Sequence, residues 1–406
     1  MSSWGIIFFA SLAFVYGFGC YVLLSFISDK TREIRKKTPY LKKIHVLVVV
    51  AQFILSAILV IVIAQIIFRS AYSTVTLITT TLLSSSVTVV VSLLFAKTFL
   101  SWYRSNKKSL IVLLYGLGFA VSAFNLAEAM AMDVRDLLAK ETTITPQLKV
   151  EFASDTAHEN LILGILSDIY QYSALAGFAL IYAATVLLLH HYSRRMGAFK
   201  FWALMLIPLL YYVSTLVTTL GLYKPQTDSE QFLSYVLGSF NATAGGILFG
   251  IAFWTVAKSI RQDNATRDYM IIAAYGFVLF FLATQVGLFA ASYPPFGFAT
   301  YCLLGLSSYM VFLGLYSSAI SVSQSIQLRR SIEESIKGDS NLLSSIGTAE
   351  MQEQVLRKVD GLKDVVKESE REMRAKSGIE SSIPKEDILT YLEEALQEVG
   401  KSKKTK

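Results

Sequence analysis

The stretch from Phe296 to Val322, FGFATYCLLGLSSYMVFLGLYSSAISV, is apolar and passes directly into the charged run SQSIQLRRSIEESIKGD, which ends at Asp339. Neither Gly nor Pro lies at the junction between the two. A helix needs about 20 apolar residues to cross a bilayer. The stretch is therefore predicted to be the last membrane span, continuing into a helix outside the membrane. We expect two parts, a transmembrane helix bundle over residues 1–322 and a helical tail over 323–406.

The composition places the chain among membrane proteins. Of its 406 residues, 53% are hydrophobic and 17% are charged, whereas soluble domains average about 25% charged residues. The tail has 15 basic and 16 acidic residues, which leaves 22 basic and 14 acidic residues in the bundle. The basic excess therefore belongs to the membrane part, which argues against nucleic-acid binding and for a charge bias linked to topology. The predicted class is an all-α polytopic bundle in the cell membrane.

Nine apolar segments are long enough to cross the bilayer. They are Trp4–Ile27, Ile44–Phe68, Ser73–Ala96, Ser109–Met132, Asn160–Leu189, Phe201–Leu222, Tyr235–Ala257, Tyr269–Ala291 and Gly297–Val322. The third is rich in Ser and Thr, whose hydroxyls can bond to the helix backbone, so it can still cross. The first lacks the basic start of a signal peptide and is read as an uncleaved span.

The loops between these spans form two alternating sets. The first set is 28–43, 97–108, 190–200 and 258–268. The second set is 69–72, 133–159, 223–234 and 292–296. The first contains 17 Lys and Arg residues and the second contains 5. Cytoplasmic loops are enriched in basic residues, so we predict an external N-terminus, a cytoplasmic first set and a cytoplasmic tail.

Two carboxylates lie inside predicted spans, Glu128 in the fourth and Asp168 in the fifth. Asn125 precedes Glu128 by three residues and Gln171 follows Asp168 by three, so each pair shares a helix face. Since ionisable groups in a membrane usually face the bundle interior, we expect these faces to meet near the outer boundary. Two residues of later spans extend this cluster, Asn241 and Gln285. The cluster is interpreted as an outward-facing pocket for a ligand or ion; the alternative is a structural hydrogen-bond network with hydrated carboxylates.

Other residues of the spans are assigned to packing. Gln52 and Gln65 are expected to form hydrogen bonds between helices, and Ala242, Gly246 and Gly250 form a ridge of small residues that favours close packing. The two cysteines lie in the first and last spans, Cys20 and Cys302, and their spacing offers neither a disulfide framework nor a metal site. They are read as buried apolar side chains. Neither metalloprotease, nucleotide-binding nor nucleophile-elbow motifs occur, so no enzyme, metal or cofactor is predicted.

Two helices with apolar stripes are predicted in the tail. The stripes contain Val355, Val359, Leu362, Val366 and Met373 in a short heptad seam, and Ile388, Leu392 and Leu396 in the last helix. A seam of about three heptads is marginal alone. We therefore expect the stripes to be buried within the tail, in a homo-oligomer or against a cytoplasmic protein.

The layout of spans three to nine resembles that of the seven-helix sensory regions that precede histidine kinases. The tail departs from that family because no histidine follows His191, so the phospho-acceptor implied by the resemblance is missing. The tail stretch LRRSIEES…LLSSIGTAEMQEQV…SGIESSIPKEDILTYLEEALQEV is similar to the tails of archaeal multi-pass membrane proteins of unassigned activity.

Three functions are consistent with this organisation. The first is a sensor or adaptor that couples the outer pocket to an interaction of the tail. The second is a secondary transporter, although the chain lacks an inverted repeat and a matched pair of Gly- or Pro-broken spans. The third is a structural subunit of a membrane complex.

Overall fold

The computed structural model describes most of the predicted bundle. The described residues are 3–105, 109–138, 143–144, 161–190, 198–219, 230, 246–255, 257–258, 265–285 and 293–324. Nearly all of them are helical, which confirms the all-α class. The seam and the last helix predicted for the tail lie outside the described residues.

The helices are numbered here in chain order. They are α1 (Ser3–Lys30), α2 (Arg32–Lys37), α3 (Pro39–Arg69), α4 (Thr74–Ser105), α5 (Leu110–Leu138), α6 (Leu161–His190), α7 (Ala198–Thr219), α8 (Gly246–Thr255), α9 (Ala265–Gln285), α10 (Phe296–Tyr301) and α11 (Leu304–Gln324). Two short strands, β1 (Tyr72–Ser73) and β2 (Thr143–Ile144), pair antiparallel with Tyr72 opposite Ile144.

Within the described residues, 7 helices are long and apolar enough to cross a membrane. They are α1, α3, α4, α5, α6, α9 and the α10–α11 segment. The sixth and seventh predicted spans overlap α7 and α8, whose described apolar parts are shorter, at Phe201–Leu210 and Gly246–Thr255. The chain therefore has the helices of a multi-pass membrane protein, while the count of nine spans stays a prediction.

Two sets of contacts define the ends of the bundle. At one end, which we call the Lys30 end, Lys30 Nζ of α1 lies 2.7 Å from Asp268 Oδ2 of α9. The other end is called the Asp133 end because α5 reaches it near Asp133; there Tyr72 of β1 stacks on Tyr293, with ring centroids 6.2 Å apart. Both tyrosine hydroxyls have a raised pKa because burial disfavours the phenolate.

The α10–α11 segment is the centre of the bundle. In the most apolar 18-residue stretch of this segment 89% of the residues are buried, whereas the figure for the corresponding stretch of α1 is 22%. Two glycines allow α9 and α11 to approach closely. A methyl group added at Gly314 would lie 2.6 Å from the backbone nitrogen of Ala273, and one added at Gly276 would lie 2.7 Å from that of Val311. Backbone-to-backbone packing of this kind is typical of membrane helices that carry small residues.

The last span is divided, although it was predicted as one uninterrupted helix. A turn at Cys302 and Leu303 separates α10 from α11. The Leu303 N–H bonds to the carbonyl of Thr300 at 3.0 Å. This bond joins residues three apart, whereas the bonds of an α-helix join residues four apart, so the helix is wound more tightly at this turn. The Ser84 hydroxyl of α4 donates to the carbonyl of Tyr301 at 2.9 Å. This bond from another helix stabilises the turn, which neither Gly nor Pro announces in the sequence.

The small-residue ridge on the seventh predicted span is confirmed for two of its three members. A methyl group at Gly246 would lie 2.5 Å from Phe281 Cβ, and one at Gly250 would lie 2.5 Å from Val278 Cγ2. The third member, Ala242, lies outside the described residues. The ridge therefore packs α8 against α9.

Candidate polar sites between the helices

The first candidate site lies between α5 and α6. These helices run antiparallel and approach closely, since a methyl group at Gly118 would lie 2.7 Å from Ile181 Cγ1. Deeper in the same interface, the hydroxyls of Tyr115 and Thr185 are 2.9 Å apart. Polar groups between α5 and α6 are thus hydrogen-bonded to each other in a largely apolar interface, as membrane interiors require.

Nearer the Asp133 end, four residues form a hydrogen-bonded group that we call the Glu128 network: Asn125, Glu128, Tyr170 and Ser173. The Asn125 amide donates to the Tyr170 carbonyl at 2.8 Å and to the Ser173 hydroxyl at 2.9 Å. Ser173 Oγ lies 3.0 Å from Glu128 Oε2 and 3.0 Å from the Tyr170 carbonyl. A hydroxyl has one proton. Because the Asn125 amide already donates to the Tyr170 carbonyl, the Ser173 hydroxyl proton is available for the bond to Glu128.

The Glu128 side chain has spare capacity to accept hydrogen bonds. The residue is buried, with 8% of its surface exposed. A carboxylate has about four lone-pair sites, and within the described part of the chain Ser173 is its one hydrogen-bond donor. The ion pairs found among these residues do not include Glu128. A ligand or water with N–H or O–H donors would satisfy the remaining sites.

Asp168 and Gln171 lie away from this network. Both are exposed on α6, whereas Tyr170 and Ser173 of the same helix face α5. A helical residue turns about 100° from its neighbour, so Gln171 lies about 160° around the helix from Ser173. The polar face of α5 therefore meets a serine of α6 rather than the predicted carboxylate and amide. Of the other two predicted members, Asn241 lies outside the described residues and Gln285 is described only as the last residue of α9.

A second polar contact joins α5 to the central segment. The carboxylate of Asp133, five residues beyond Glu128, interacts with the hydroxyl of Tyr301 on α10. That hydroxyl lies 2.7 Å from Ser85 Oγ of α4. Tyr301 is buried and Asp133 is exposed. One helix, α5, thus carries Glu128 of the Glu128 network and also Asp133, which interacts with Tyr301 of the most buried span.

A third polar cluster lies near the middle of the spans. The side-chain amide of Gln52 on α3 donates to the hydroxyl of Tyr16 on α1 and lies 3.5 Å from Cys20 Sγ. The same hydroxyl interacts with Cys302, at the turn between α10 and α11. Gln52 therefore bonds between helices, as predicted, and both cysteines are free and buried, as predicted. Tyr16 interacts with both cysteines. The sequence did not predict this contact, because Cys20 and Cys302 lie near opposite ends of the chain.

Gln65, predicted to bond between helices, has a local role. Its Oε1 accepts a hydrogen bond at 3.1 Å from the backbone N–H of Ser73. The bond holds β1 against the end of α3.

The described fold and sites define a multi-pass α-helical membrane protein with polar groups buried between its spans. Within the described ranges, three or more His, Cys, Asp or Glu side chains do not come together as metal ligands would. Comparison of the chain with protein-family models, curated proteins and solved structures finds no match. The resemblances noted from layout and tail sequence stay predictions.

Proposed function

We propose that the protein is a membrane sensor or adaptor that binds a small cationic or hydrogen-bond-donating ligand at the Glu128 network and signals through α5 and the α10–α11 segment to its tail. One observation carries the proposal: α5 holds both the buried carboxylate of Glu128 and Asp133, which interacts with Tyr301 at the end of α10.

The ligand class follows from the chemistry of the Glu128 network. Its members offer a carboxylate that accepts one hydrogen bond from Ser173, and charge-assisted bonds to a carboxylate are about twice as strong as neutral ones. A buried carboxylate is costly in a membrane unless it is paired or hydrated. An ammonium group or a water-bearing cation would lower that cost by binding.

The response would travel along α5 as a rigid helix. Asp133 lies five residues from Glu128, or about 7.5 Å along the axis, so a tilt that closes α5 on a ligand also displaces Asp133 from Tyr301. The central segment packs on α9 through Gly276 and Gly314 with little free space. Tightly packed elements shift as units between discrete arrangements rather than deform, so α11 would move along or across α9.

The proposed topology places the Glu128 network near the outer surface and the Lys30 end in the cytoplasm. The basis is the excess of Lys and Arg in the first loop set. In this orientation α11 ends at Gln324 on the cytoplasmic side, where the tail begins. The apolar stripes of the tail, such as that containing Leu362, would then bind a cytoplasmic protein or a second copy.

The test uses the full chain in native membranes, with a photo-crosslinking residue in place of Leu362. The crosslinked products of wild type are compared with those of Glu128→Gln, Asp133→Asn and the matched control Asp168→Asn, whose side chain is exposed on α6. We expect the first two substitutions to change the crosslinking pattern and the third to preserve it. Four identical patterns would refute coupling between the Glu128 network and the tail.

A second candidate function, secondary transport, is favoured by the turn at Cys302 and Leu303. Transporters bind substrates near the bilayer midplane beside interrupted helices. This interruption lies beside Tyr16 and Gln52, near the middle of α1 and α3. In a transporter, Glu128→Gln or Tyr16→Phe would abolish uptake into proteoliposomes, whereas a sensor would show no uptake to abolish.

A further inference from the structure

The connection from α1 to α3 lies at the edge of two membrane spans. Helical bonding continues from α1 into α2, since the Arg35 N–H bonds to the Thr31 carbonyl at 3.0 Å. The extended conformation of Thr38 (φ −125°, ψ 93°) then ends α2, and Pro39 begins α3 at the position where proline is favoured. The apolar run of α1 ends at Ile27, so the backbone of Arg35 lies about 12 Å beyond it.

The Arg35 side chain folds back toward the apolar part of the bundle. One terminal nitrogen, Nη2, donates to the Ser28 carbonyl at 2.6 Å and lies 2.9 Å from Ser28 Oγ. Ser28 directly follows the last apolar residue of the first predicted span, so the guanidinium group lies at the boundary between hydrocarbon and headgroups. Polar side chains anchored at this depth are positioned to meet lipid phosphates.

The Arg35 charge has no acidic partner among the described residues. Its Nε is buried without a hydrogen-bond acceptor, and the ion pairs found there involve other groups. On the bundle side its charge acts on His45 and Tyr309, which bond to each other at 3.0 Å and bring no negative charge. A partly buried cation needs a counter-charge, so this position calls for an anion from outside the bundle.

The neighbouring surface is basic. Residues 28–43 contain seven Lys and Arg residues and two acids, Asp29 and Glu33. Four of the basic residues are exposed on α2 and on the first turn of α3, namely Arg32, Lys36, Lys42 and Lys43. Basic residues beside a membrane span attract anionic lipids within a Debye length of the surface.

We propose that Arg35, assisted by Arg32, Lys36 and Lys42, binds the phosphate group of an acidic phospholipid at the Lys30 end of the bundle. The guanidinium group can form charge-assisted hydrogen bonds with phosphate oxygens, and its second terminal nitrogen, Nη1, makes no hydrogen bond within the described part of the chain, where Nη2 alone binds Ser28. Since α1 and α3 both enter the membrane within about two and a half helical turns of Arg35, the phosphate supplied at this depth belongs to a lipid.

The test is lipid binding by the full chain, purified in a neutral detergent and measured by native mass spectrometry. Dioleoylphosphatidylglycerol and dioleoylphosphatidylcholine are titrated separately into wild type, Arg35→Gln, Arg35→Lys and the matched control Arg104→Gln. Arg104 is an exposed basic residue near the end of α4. We expect Arg35→Gln to lower phosphatidylglycerol affinity about tenfold with phosphatidylcholine unchanged, Arg35→Lys to lower it less, and Arg104→Gln to change it less than twofold.

Three outcomes would overturn the proposal. They are an unchanged affinity in Arg35→Gln, an equal loss in Arg104→Gln, which would indicate diffuse attraction, and displacement of the lipid by millimolar inorganic phosphate, which would indicate a site for soluble anions. If Arg35→Gln fails to fold, the doubly substituted Arg32→Gln/Lys36→Gln protein replaces it, because both side chains are exposed. This protein is expected to lose phosphatidylglycerol affinity about fivefold, and an unchanged affinity refutes the site.

Discussion

Replacement of Gly314 by alanine tests whether close contact between α9 and α11 holds the centre of the bundle together. The added methyl carbon would lie 2.6 Å from the Ala273 nitrogen and 2.6 Å from the Tyr269 carbonyl oxygen. Both are backbone atoms, so neither can rotate away. Restoring an ordinary contact of 3.4 Å requires α11 to move about 0.8 Å from α9, which loosens packing along the whole interface.

The expected cost is about 1–3 kcal/mol of unfolding free energy, the range found when a well-packed interior receives an extra carbon. A glycine-to-alanine change also raises helix propensity by up to about 1 kcal/mol, which opposes the loss. Gly17→Ala on α1 provides the matched control, because no atom beyond the backbone of its own helix lies within 4 Å of its added methyl carbon. The propensity gain is common to both variants, so the difference between them measures the packing cost.

Unfolding by sodium dodecyl sulfate in mixed micelles gives the two free energies. Trp102 is a suitable fluorescent reporter, since it is buried and stacks on Tyr316 of α11 with ring centroids 5.9 Å apart. We expect Gly314→Ala to unfold at a lower detergent fraction than Gly17→Ala. Equal midpoints would show that α9 and α11 are not packed backbone to backbone, and the rigid movement proposed for α11 would lose its basis.

Three further substitutions test individual contacts. Lys30→Ala removes the 2.7 Å ion pair with Asp268 and should lower the unfolding free energy by at most about 1 kcal/mol, an effect that vanishes in high salt because the pair is partly exposed. Tyr115→Phe should cost about 1–2 kcal/mol by removing the buried bond to Thr185, and combining it with Thr185→Val should cost less than the sum in a double-mutant cycle. Gln65→Leu removes the acceptor for a backbone N–H of β1 and should speed hydrogen exchange there, with global stability changed by less than about 1 kcal/mol.

Helix positions and local packing residues could be predicted because each depends on a nearby pattern. Apolar length alone places both ends of α1, α3 and α6 within five residues of their observed bounds, whereas α4 and α5 continue nine and six residues beyond the predicted spans. Gly246 and Gly250 were identified by a four-residue spacing that keeps them on one helix face, and both meet α9 as expected. Gln52 was assigned to an interhelical bond because a buried amide in a membrane needs a partner.

The Glu128 network could be predicted only on its α5 side. Asn125 and Glu128 share a face by spacing, but the rotation of α6 about its axis decides which of its residues they meet. Asp168 was predicted to face Glu128 because it is the ionisable residue of the fifth predicted span, whereas in the structure Ser173 of α6 donates to Glu128. A carboxylate facing Glu128 would repel it at low dielectric, and the neutral hydroxyl avoids that cost.

The turn at Cys302 could not be predicted because its cause lies more than two hundred residues away. The carbonyl of Tyr301 accepts a bond from Ser84 of α4, a partner that exists only once the helices are assembled. The same holds for the cluster around Tyr16, which joins the first, second and last predicted spans. Long-range polar contacts between spans are invisible to a periodic pattern.

The two proposed functions require different behaviour of the turn that follows Tyr301. The Tyr301 hydroxyl contacts Asp133 and Ser85, while its carbonyl accepts the Ser84 bond that stabilises the turn. In a sensor the turn must stay intact, because α10 and α11 have to move together to carry a signal from Asp133. In a transporter the turn must change its bonding, because the carbonyls it frees would line the substrate path. Ser84→Ala removes the donor to that carbonyl and weakens the turn, so it should change tail crosslinking in a sensor, which shows no uptake, and should change uptake in a transporter.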